Sequence, residues 1–497
     1  MSTDGPYASV SRAEIIVSLT ILVASGLLLI YILPRPILLL GGVIIGTTVL
    51  VFGLGYALFH LGESVPPRIR AIPIYVFLFV PLAIAVGFVW YFELVFSVTS
   101  GVIFFALLLF VMIYWTVIPL ALYQHYREHQ RTVDVDEWPA VTAIVPAYNE
   151  EGYVGDCIDS LLQNTYPDDC LEIVVIDDGS TDNTLAEARE RESDRVRVLH
   201  KENGGKHSAM NYALETIDSE LVVSVDADSI ISPDAIQQLV RTYLWHDEPC
   251  AVAGNIKIHY RNSSLERIQA LEYIVSINMF RRALDHLGIV QVVPGCLGLF
   301  ERETVEKIGG FSGETVTEDF DLTLEILKQG YDIHYSGNAV ARTEAPTTLR
   351  GLHNQRLRWF RGTIQTLVKH RDIISQPGFG LLHVLLMPYM WMSVGIAPVL
   401  GFVILGSIIW MSVFGSFIEV LGLILIFVVL ELLFATTALT MEDTVEKEDM
   451  SLLIYVPLMV IGYKQLQDTF MLKSLLDFLL GRRVDWTSAG RNKQTDR

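Results

Sequence analysis

Hydrophobic residues are not spread evenly along this chain but are gathered in two blocks, one toward each end. Uncharged apolar runs occupy much of residues 15–123 and 381–479, and several are long enough to cross a hydrocarbon layer of about 30 Å. Between them, from about Asp134 to His370, the composition is that of an ordinary soluble domain. The mean hydropathy of +0.41 is also high for a soluble protein. This pattern predicts a globular domain placed between two membrane regions.

The amino-terminal block contains four apolar runs, which predict four transmembrane helices within residues 1–133. Basic residues that flank these runs fall mainly on one side, so the positive-inside rule places the central domain in the cytoplasm. The carboxy-terminal transmembrane region is predicted at 379–480, with part of its first stretch at the interface, followed by a cytoplasmic tail at 481–497. These features predict a multi-pass protein of the cell (plasma) membrane. The apolar stretches are 15–33, 37–59, 72–92, 101–123, 381–412, 416–438 and 451–479.

The formal net charge of −20 argues against nucleic acid as a partner, because a phosphate-binding surface needs clustered Lys and Arg. The acidity fits either an ordinary solvated surface or a high-salt habitat. Four cysteines lie far apart without CxxC spacing, which is typical of neither a zinc ribbon nor a disulfide framework. A reducing compartment fits this pattern.

Short β-branched runs alternate with helical stretches between Val141 and Arg342. The alternation predicts an α/β domain at 134–349 with a mostly parallel central sheet, inserted between amino- and carboxy-terminal α-helical transmembrane bundles. Ligands of such sheets bind beyond the carboxyl ends of the strands, so polar residues there are candidates for a binding site. The predicted strands are VTAIVP (141–146), LEIVVID (171–177), VRVLH (196–200), LVVSVD (221–226) and AVAGNIKIH (251–259).

Two of these strand ends carry polar residues that would face one crevice. Ala147, Tyr148 and Glu150 follow the first strand, and Asp178 follows the second. Such residues often serve only as turn formers or helix caps. At adjacent strand ends, however, they could hold a base and a ribose.

A glycine pair and a lysine, Gly204, Gly205 and Lys206, precede a predicted helix that begins near Ser208. Free backbone amides and an ammonium group suit an anionic ligand. A turn with a solvated lysine fits the same residues.

Asp226 and Asp228 end the strand LVVSVD, and residues two apart in an extended chain project to the same side. Two converging carboxylates suit a hard cation such as Mg²⁺ or Mn²⁺, which could bridge to a diphosphate. The alternative is a solvated turn.

Glu318 and Asp319 open a helix predicted to run to about Gln329. The two acids could merely complement the helix dipole. Transfer of a group to a hydroxyl, however, needs a base within reach of that hydroxyl, and Asp319 is the best-placed candidate.

A basic amphipathic helix is predicted within an interfacial segment at 350–378. It places Gln355, Arg358 and Trp359 at i, i+3 and i+4, on one face. Arg offers a planar fork to phosphate oxygens, and Trp offers a flat apolar face to a sugar ring. The helix could equally rest on anionic lipid, because further basic residues enlarge its positive surface. These residues are Arg350, Arg356, Arg361 and Lys369.

Taken together, these segments resemble the processive family 2 glycosyltransferases of GT-A fold, the group that contains cellulose, chitin, hyaluronan and poly-N-acetylglucosamine synthases. The resemblance spans about Val141 to Gly362 and follows the family's order. The TED triplet at Thr317, with QRxRW and the GGK segment, looks most similar to poly-β-1,6-N-acetylglucosamine synthases, whereas hyaluronan synthases usually carry a GDD-type triplet. The segments are VPAYNEE, DDGSTD, GGKHSAMNYAL, DADS, PGCLGLFER, TEDFDLT and QRLRWFRG.

On the donor side, the resemblance implies that four residues hold the uridine part of a UDP-sugar and that Lys206 lies near the nucleotide. The four residues are Ala147, Tyr148, Glu150 and Asp178. Asp226 and Asp228 would lie at the metal and diphosphate, with Mg or Mn as the divalent cation.

On the acceptor side, the resemblance implies that Asp319, next to Glu318, is the general base. Gln355, Arg358 and Trp359 would form the QxxRW element, which the family associates with processive synthesis. The PGCLGLF stretch would line the acceptor path.

The implied activity is inverting, metal-dependent and processive transfer of a sugar from a UDP-sugar to a growing β-linked polysaccharide, coupled to membrane export. N-acetylglucosamine is the sugar of the most similar subgroup. The alternatives are a non-processive glycosyltransferase acting on a lipid carrier and a hyaluronan-like copolymer synthase. The implied partners are the UDP-sugar donor, the growing polysaccharide acceptor, membrane lipids and accessory export proteins.

Overall fold

The computed structural model describes residues 117–482, except for 119, 130–132, 134, 247–248, 416 and 443–446. The first three predicted amino-terminal spans, most of the fourth and the tail beyond residue 482 therefore lie outside the described residues. Residues 120–129 are helical.

Two compact units make up the chain. One combines Met1–Met112 with Val403–Glu431, and the other combines Ile113–Phe402 with Leu432–Arg497. The described part of the first unit is helical, and its buried Met411 and Val420 pack with neighbouring apolar residues. The second unit contains the whole central sheet and every residue of the candidate site.

The centre of the second unit is an eight-stranded sheet in the order β3-β2-β1-β4-β7-β6-β8-β5. Strands β1 to β4 pair in parallel, as do β6 and β8, whereas β7 and β5 run antiparallel to their neighbours. The sheet is therefore mixed. The strands are β1 (Val141–Ala147), β2 (Leu171–Asp177), β3 (Val196–His200), β4 (Leu221–Ser224), β5 (Ser229–Ile231), β6 (Ala251–Ile258), β7 (Gly298–Glu301) and β8 (Ile333–Thr343).

Both faces of the sheet are covered, and alternate residues of β1 show this directly. Val141, Ala143 and Val145 point into one hydrophobic cluster, whereas Ile144 points into another on the opposite face. Continuous burial of a strand on two faces explains why these segments are nearly all apolar. The expected GT-A-like α/β domain is confirmed at this level.

Helices follow most strands and pack against the sheet. A π-helical segment, Tyr273–Asn278, joins α5 directly to α6. Ser263 begins α5 with a capping box, because its hydroxyl accepts from the Glu266 N–H while the Glu266 carboxylate accepts from the Ser263 N–H. The helices are α1 (Val154–Leu162), α2 (Thr184–Arg189), α3 (Lys206–Leu214), α4 (Ala235–Trp245), α5 (Ser264–Glu272), α6 (Met279–Asp285), α7 (Arg302–Lys307), α8 (Glu318–Lys328) and α9 (Leu349–Lys369).

The carboxy-terminal region is also helical. Two helical segments, Leu382–Phe414 and Val420–Thr440, are long and apolar enough to cross a membrane, judged by length and composition alone. The third predicted stretch is interrupted at Ile461 and Gly462, whose backbone angles are not helical. The helices are α10 (Asp372–Ser375), α11 (Met387–Trp391), α12 (Ala397–Phe414), α13 (Phe417–Thr440), α14 (Lys447–Ser451), α15 (Val456–Leu458) and α16 (Lys464–Leu479).

All five predicted strands are confirmed, with β4 ending at Ser224 rather than at Asp226. The expectation of a mostly parallel sheet holds for six of the eight strands, which run in one direction. Within the sheet, β7, between β4 and β6, and β5, at the edge beside β8, run the opposite way.

Candidate active site

The ends of β1 and β2 are joined by hydrogen bonds between the loops that follow them. Ser180 Oγ accepts from the Asn149 N–H at 3.0 Å, and Thr184 Oγ1 accepts from the Glu150 N–H at 2.7 Å. The Asp178 N–H donates to the carbonyl of Ala147 at 2.9 Å. The structure thus brings Ala147, Glu150 and Asp178 to one edge of the sheet, as adjacent parallel strands require.

The carboxylate of Asp178 is buried and holds the glycine turn in place. It accepts hydrogen bonds from the N–H groups of Gly204 and Gly205, the shortest at 2.7 Å, and from Lys201 Nζ at 2.7 Å. Gly205 has φ of 87°, a conformation that side chains disfavour, which explains the glycine before α3. The sequence analysis did not select Lys201, although its position directly after β3 was the available signal.

Lys206, the first residue of α3, joins two segments that lie far apart in the sequence. Its Nζ is 2.5 Å from Asp226 Oδ1 and 3.3 Å from Glu318 Oε1. Burial alone would lower the pKa of Lys206, but the charges of Asp226, Glu318 and Asp319 outweigh it and raise the pKa. The lysine is therefore a fixed positive charge among three carboxylates.

Asp319 lies in the first turn of α8, where backbone N–H groups are available. Its Oδ1 accepts from the Phe320 N–H at 2.8 Å and its Oδ2 from the Gly295 N–H at 3.3 Å. Burial and the neighbouring Glu318 raise the pKa of Asp319 to about 6, although Lys206 and the two backbone N–H groups act in the opposite direction. A carboxylate with this pKa can accept a proton near neutral pH.

Gly295 leaves room for the lysine beside the base. A Cβ atom built on Gly295 would lie 2.4 Å from Lys206 Nζ and 3.8 Å from Asp319 Oδ2. The carbonyl of Gly295 accepts from Ser224 Oγ at 2.7 Å, which ties the turn before β7 to the end of β4. Part of the PGCLGLF stretch therefore borders the lysine and the base.

Asp226 and Asp228 lie in the segment between β4 and β5, and not in an extended strand as predicted. Cys157 Sγ donates to the carbonyl of Asp226 at 3.5 Å, and burial together with the charges of Asp228, Asp226 and Glu150 raises the pKa of this thiol. The convergence of the two carboxylates on one cation stays a prediction. Their oxygen atoms are the ligand type that Mg²⁺ or Mn²⁺ prefers, so these residues fit such a cation.

A second group of metal-ligand side chains occurs among the described residues. His246, Asp285 and His334 place one ligand atom each within 4.8 Å of one another. Asp285 Oδ1 lies 3.0 Å from His334 Nδ1 and accepts from the Tyr335 N–H at 2.6 Å. These contacts join the end of α6 to β8, and the group includes neither Asp226 nor Asp228.

The three residues of the QxxRW element differ in exposure along α9. Arg358 is exposed, whereas Gln355 and Trp359 are half-buried. Gln355 Oε1 is buried and has no hydrogen-bond partner in the described part of the chain. The ring of Trp359 lies 6.2 Å from that of Tyr273, measured between centroids.

Arg356 does not contribute to a positive surface, which corrects the sequence-based expectation. It is buried, donates to Glu272 at 2.7 Å and lies 4.3 Å from the Trp359 ring. Tyr463 OH also donates to Glu272, at 2.6 Å. The ion pair with Glu272 on α5 and the contact with the Trp359 ring on α9 stabilise this guanidinium in its buried position.

Helix α9 also packs closely against the turn that precedes Glu318 and Asp319. A Cβ atom on Gly362 would lie 2.4 Å from Thr317 Cγ2. Beyond the turn, buried Asp321 accepts from Lys369 Nζ at 2.7 Å and lies 2.8 Å from His370 Nε2. The expectation that Lys369 adds to a free positive surface is therefore wrong, because Asp321 and Glu314 pair with it.

The residues 139–362, which contain this site, match the family model described as glycosyltransferase like family 2. Poly-beta-1,6-N-acetyl-D-glucosamine synthases from Staphylococcus aureus are 30% identical over 273 residues, which is 54% of this chain and 65% of theirs. The synthase from Staphylococcus epidermidis is 30% identical over 244 residues, or 49% of this chain and 57% of that protein. The match thus spans less than two thirds of the relatives' length.

A mannosyltransferase from Pyrobaculum calidifontis, solved in complex with GDP-Man and Mn2+, gives a TM-score of 0.49 at 22% identity. That similarity covers 74% of this chain and 96% of the mannosyltransferase. The family match includes Asp226, Asp319 and the QxxRW element of α9. Residues 139–362 are therefore a glycosyltransferase domain of family 2.

Proposed function

We propose that the protein transfers a sugar, N-acetylglucosamine in the first instance, from a UDP-sugar to a growing β-linked polysaccharide, with inversion at the anomeric carbon. The observation that carries the proposal is the position of Asp319. A carboxylate with a pKa raised to about 6 lies beside Lys206, which pairs with the strand-end carboxylate Asp226. A base and a set of groups for a charged leaving group are thus adjacent. The similarity to the poly-beta-1,6-N-acetyl-D-glucosamine synthases supports the choice of sugar.

The reaction is one displacement. An acceptor hydroxyl oxygen forms a bond to the anomeric carbon while the bond from that carbon to the phosphate oxygen breaks. The electron pair of the broken bond leaves with UDP, and the hydroxyl proton passes to the carboxylate of Asp319. Lys206 then lies where its positive charge stabilises the departing diphosphate.

Asp226 and Asp228 are the residues that would hold a divalent cation, Mg or Mn. When bound, such a cation supplies positive charge to the diphosphate oxygens as negative charge develops on them. Ala147, Tyr148, Glu150 and the loop fixed by Asp178 form the proposed uridine side.

The helix α9 carries the proposed acceptor side. Its close contact with the turn before Asp319 fixes the distance between the base and the QxxRW element, Gln355, Arg358 and Trp359. The two apolar helices support a membrane location, and we propose a cytoplasmic catalytic domain whose product is exported through the membrane region. Membrane lipids and accessory export proteins are the proposed partners.

The test uses the purified full-length protein in nanodiscs with a panel of UDP-sugars and Mn²⁺ or Mg²⁺. We expect UDP release and a long polymer from UDP-N-acetylglucosamine alone, degraded by a glycosidase specific for its linkage. A requirement for two donors would instead identify a copolymer synthase. A single short product that extracts into organic solvent would identify transfer to a lipid carrier and overturn processive synthesis.

A further inference from the structure

Helix α6 carries two adjacent buried arginines that differ in their hydrogen bonds within the described part of the chain. Arg281 is only 6% exposed, yet its Nε and Nη1 have no hydrogen-bond partner among the described residues. The next residue behaves differently, because Arg282 is equally buried and its Nη1 donates to Glu128 at 2.6 Å. Arg281 is therefore not held in place by a carboxylate in the way that its neighbour is.

The groups around Arg281 belong to the candidate active site. Cys296, Tyr335, Asp319 and Tyr273 all lie near enough to raise its pKa, although burial prevails and lowers it. Cys296 follows Gly295, whose N–H donates to Asp319. The arginine thus lies among groups that border Asp319 and the PGCLGLF turn.

A buried guanidinium without partners is costly, because it has left water without gaining hydrogen bonds in return. Structures keep such groups where a bound molecule completes the hydrogen bonds, and polar sites of this kind occur at functional centres more often than elsewhere. The two unused N–H groups of Arg281 therefore indicate a ligand with oxygen acceptors next to Asp319.

Two ligands of the proposed reaction carry such oxygens, the donor diphosphate and the acceptor sugar. The diphosphate already has a cation beside the strand-end carboxylates, because Lys206 pairs with Asp226. One of the groups that act on the pKa of Arg281 is Tyr273, whose ring is 6.2 Å from that of Trp359. Aromatic faces suit a sugar ring, so the surroundings of Arg281 favour the acceptor.

We propose that Arg281 binds the acceptor sugar, donating through Nε and Nη1 to its hydroxyl or carbonyl oxygens, and so positions the attacking hydroxyl against Asp319. The inference rests on the proposed function, since it assigns a binding residue to the acceptor side of the same site. Arg281 takes no part in proton transfer and does not contact the donor phosphates.

The experiment compares wild-type protein with Arg281→Met and Arg281→Lys in nanodiscs, using the UDP-sugar that the wild type accepts and added β-linked N-acetylglucosamine oligosaccharides. We expect Arg281→Met to raise the KM for the oligosaccharide about 10- to 100-fold, the loss typical of hydrogen bonds from a charged donor. The affinity for the UDP-sugar should stay within about twofold of wild type. Arg281→Lys, which keeps the charge and loses the planar pair of donors, should fall between the two.

Thermal unfolding provides a second readout. If Arg281 had only a structural role, its replacement would lower the unfolding temperature instead of raising it. Removing an unpartnered buried charge should raise the unfolding temperature of Arg281→Met, whereas the matched control Arg282→Met should lower it, since Glu128 loses the arginine of its buried ion pair. Weaker UDP-sugar binding with an unchanged oligosaccharide KM would overturn the assignment in favour of the donor. A destabilised or unfolded Arg281→Met protein would also overturn it. A wild type that uses no UDP-sugar would refute the proposed function separately.

Discussion

The main-chain N–H of Gly295 donates a hydrogen bond of 3.3 Å to Oδ2 of Asp319, and thereby connects the turn before β7 to the first turn of α8. These two segments come from different parts of the sequence, and neither would form the site alone. The bond also fixes one carboxylate oxygen of the base at the edge of the mixed sheet. Several experimental consequences depend on this placement.

The pH dependence of transfer should report the titration of Asp319. The base must be ionised, and its pKa is raised to about 6, so kcat/KM should fall about tenfold per pH unit below pH 6. Because Glu318 raises this pKa, Glu318→Gln should move the acid limb to lower pH. The measurement is UDP release across pH 4.5 to about 8. Glu325→Gln, on the same helix but outside the groups that act on Asp319, is the control and should leave the limb in place.

Asp319→Asn should separate activity from stability. Without the base, transfer should drop on the order of 10²- to 10⁴-fold while UDP-sugar binding is retained. The folded-state pKa of Asp319 is raised, so the wild-type residue favours folding at low pH and loses that contribution as the pH rises through about 6. At pH 8 the variant should therefore unfold at an equal or higher temperature than wild type. Full polymer synthesis by the variant would remove Asp319 from its proposed role.

Gly362→Ala should disturb the contact between α9 and the turn before the base. The new methyl group would lie 2.4 Å from Thr317 Cγ2, so one of the two segments must shift. We expect a loss of stability of about 1–3 kcal/mol, partly offset by the better helix propensity of alanine, together with slower transfer. Gly378→Ala is the matched control, because no atom lies within 4 Å of its added Cβ. Equal behaviour of the two variants in thermal unfolding and UDP release would contradict the packing argument.

Asp321→Ala should destabilise the junction between α8 and α9. Buried Asp321 faces Lys369 and His370, and the hydrogen bonds from these residues lower its pKa even though burial opposes them. The alanine variant removes the acceptor of buried His370 Nε2 and one of the two carboxylates that pair with Lys369, which should cost about 3 kcal/mol. Since the pKa is lowered, the stabilising effect in wild type is present above the ordinary carboxyl range and disappears as the pH falls. Denaturant unfolding of both proteins at pH 7 and pH 3 should thus show a difference that shrinks in acid.

The first half of the domain could be predicted well from the sequence, because β1 to β4 are continuous apolar runs and their polar ends meet by the geometry of parallel strands. Among the later strands β6 was predicted, whereas β5, β7 and β8 were missed for physical reasons. Strands β5 and β7 have only three and four residues. Strand β8 contains buried His334 and Ser336, whose partners Asp285 and Thr242 lie on distant helices. No short-range pattern in the sequence marks such a strand.

The site shows the same division. The choice of Lys206, Asp226 and Asp319 followed from local motifs, and the structure places all three in one cluster. The burial of Arg356 could not be predicted locally, because its partner Glu272 lies 84 residues earlier in the chain. Helical spacing predicted which residues share a face of α9. It did not predict which arginine of the helix would pair with a carboxylate.

Glu272 accepts from both Arg356 and Tyr463, so a single carboxylate on α5 holds the acceptor helix α9 and the segment that leads into α16. A chimera that takes its carboxy-terminal helices from a relative would replace Tyr463 but keep Glu272 and Arg356. The exchange would therefore break up the hydrogen-bonded group that these three residues form. Grafting would therefore need residues 272, 356 and 463 to be transplanted as a set. The boundary of the interchangeable module lies inside the carboxy-terminal region rather than at the end of the catalytic domain.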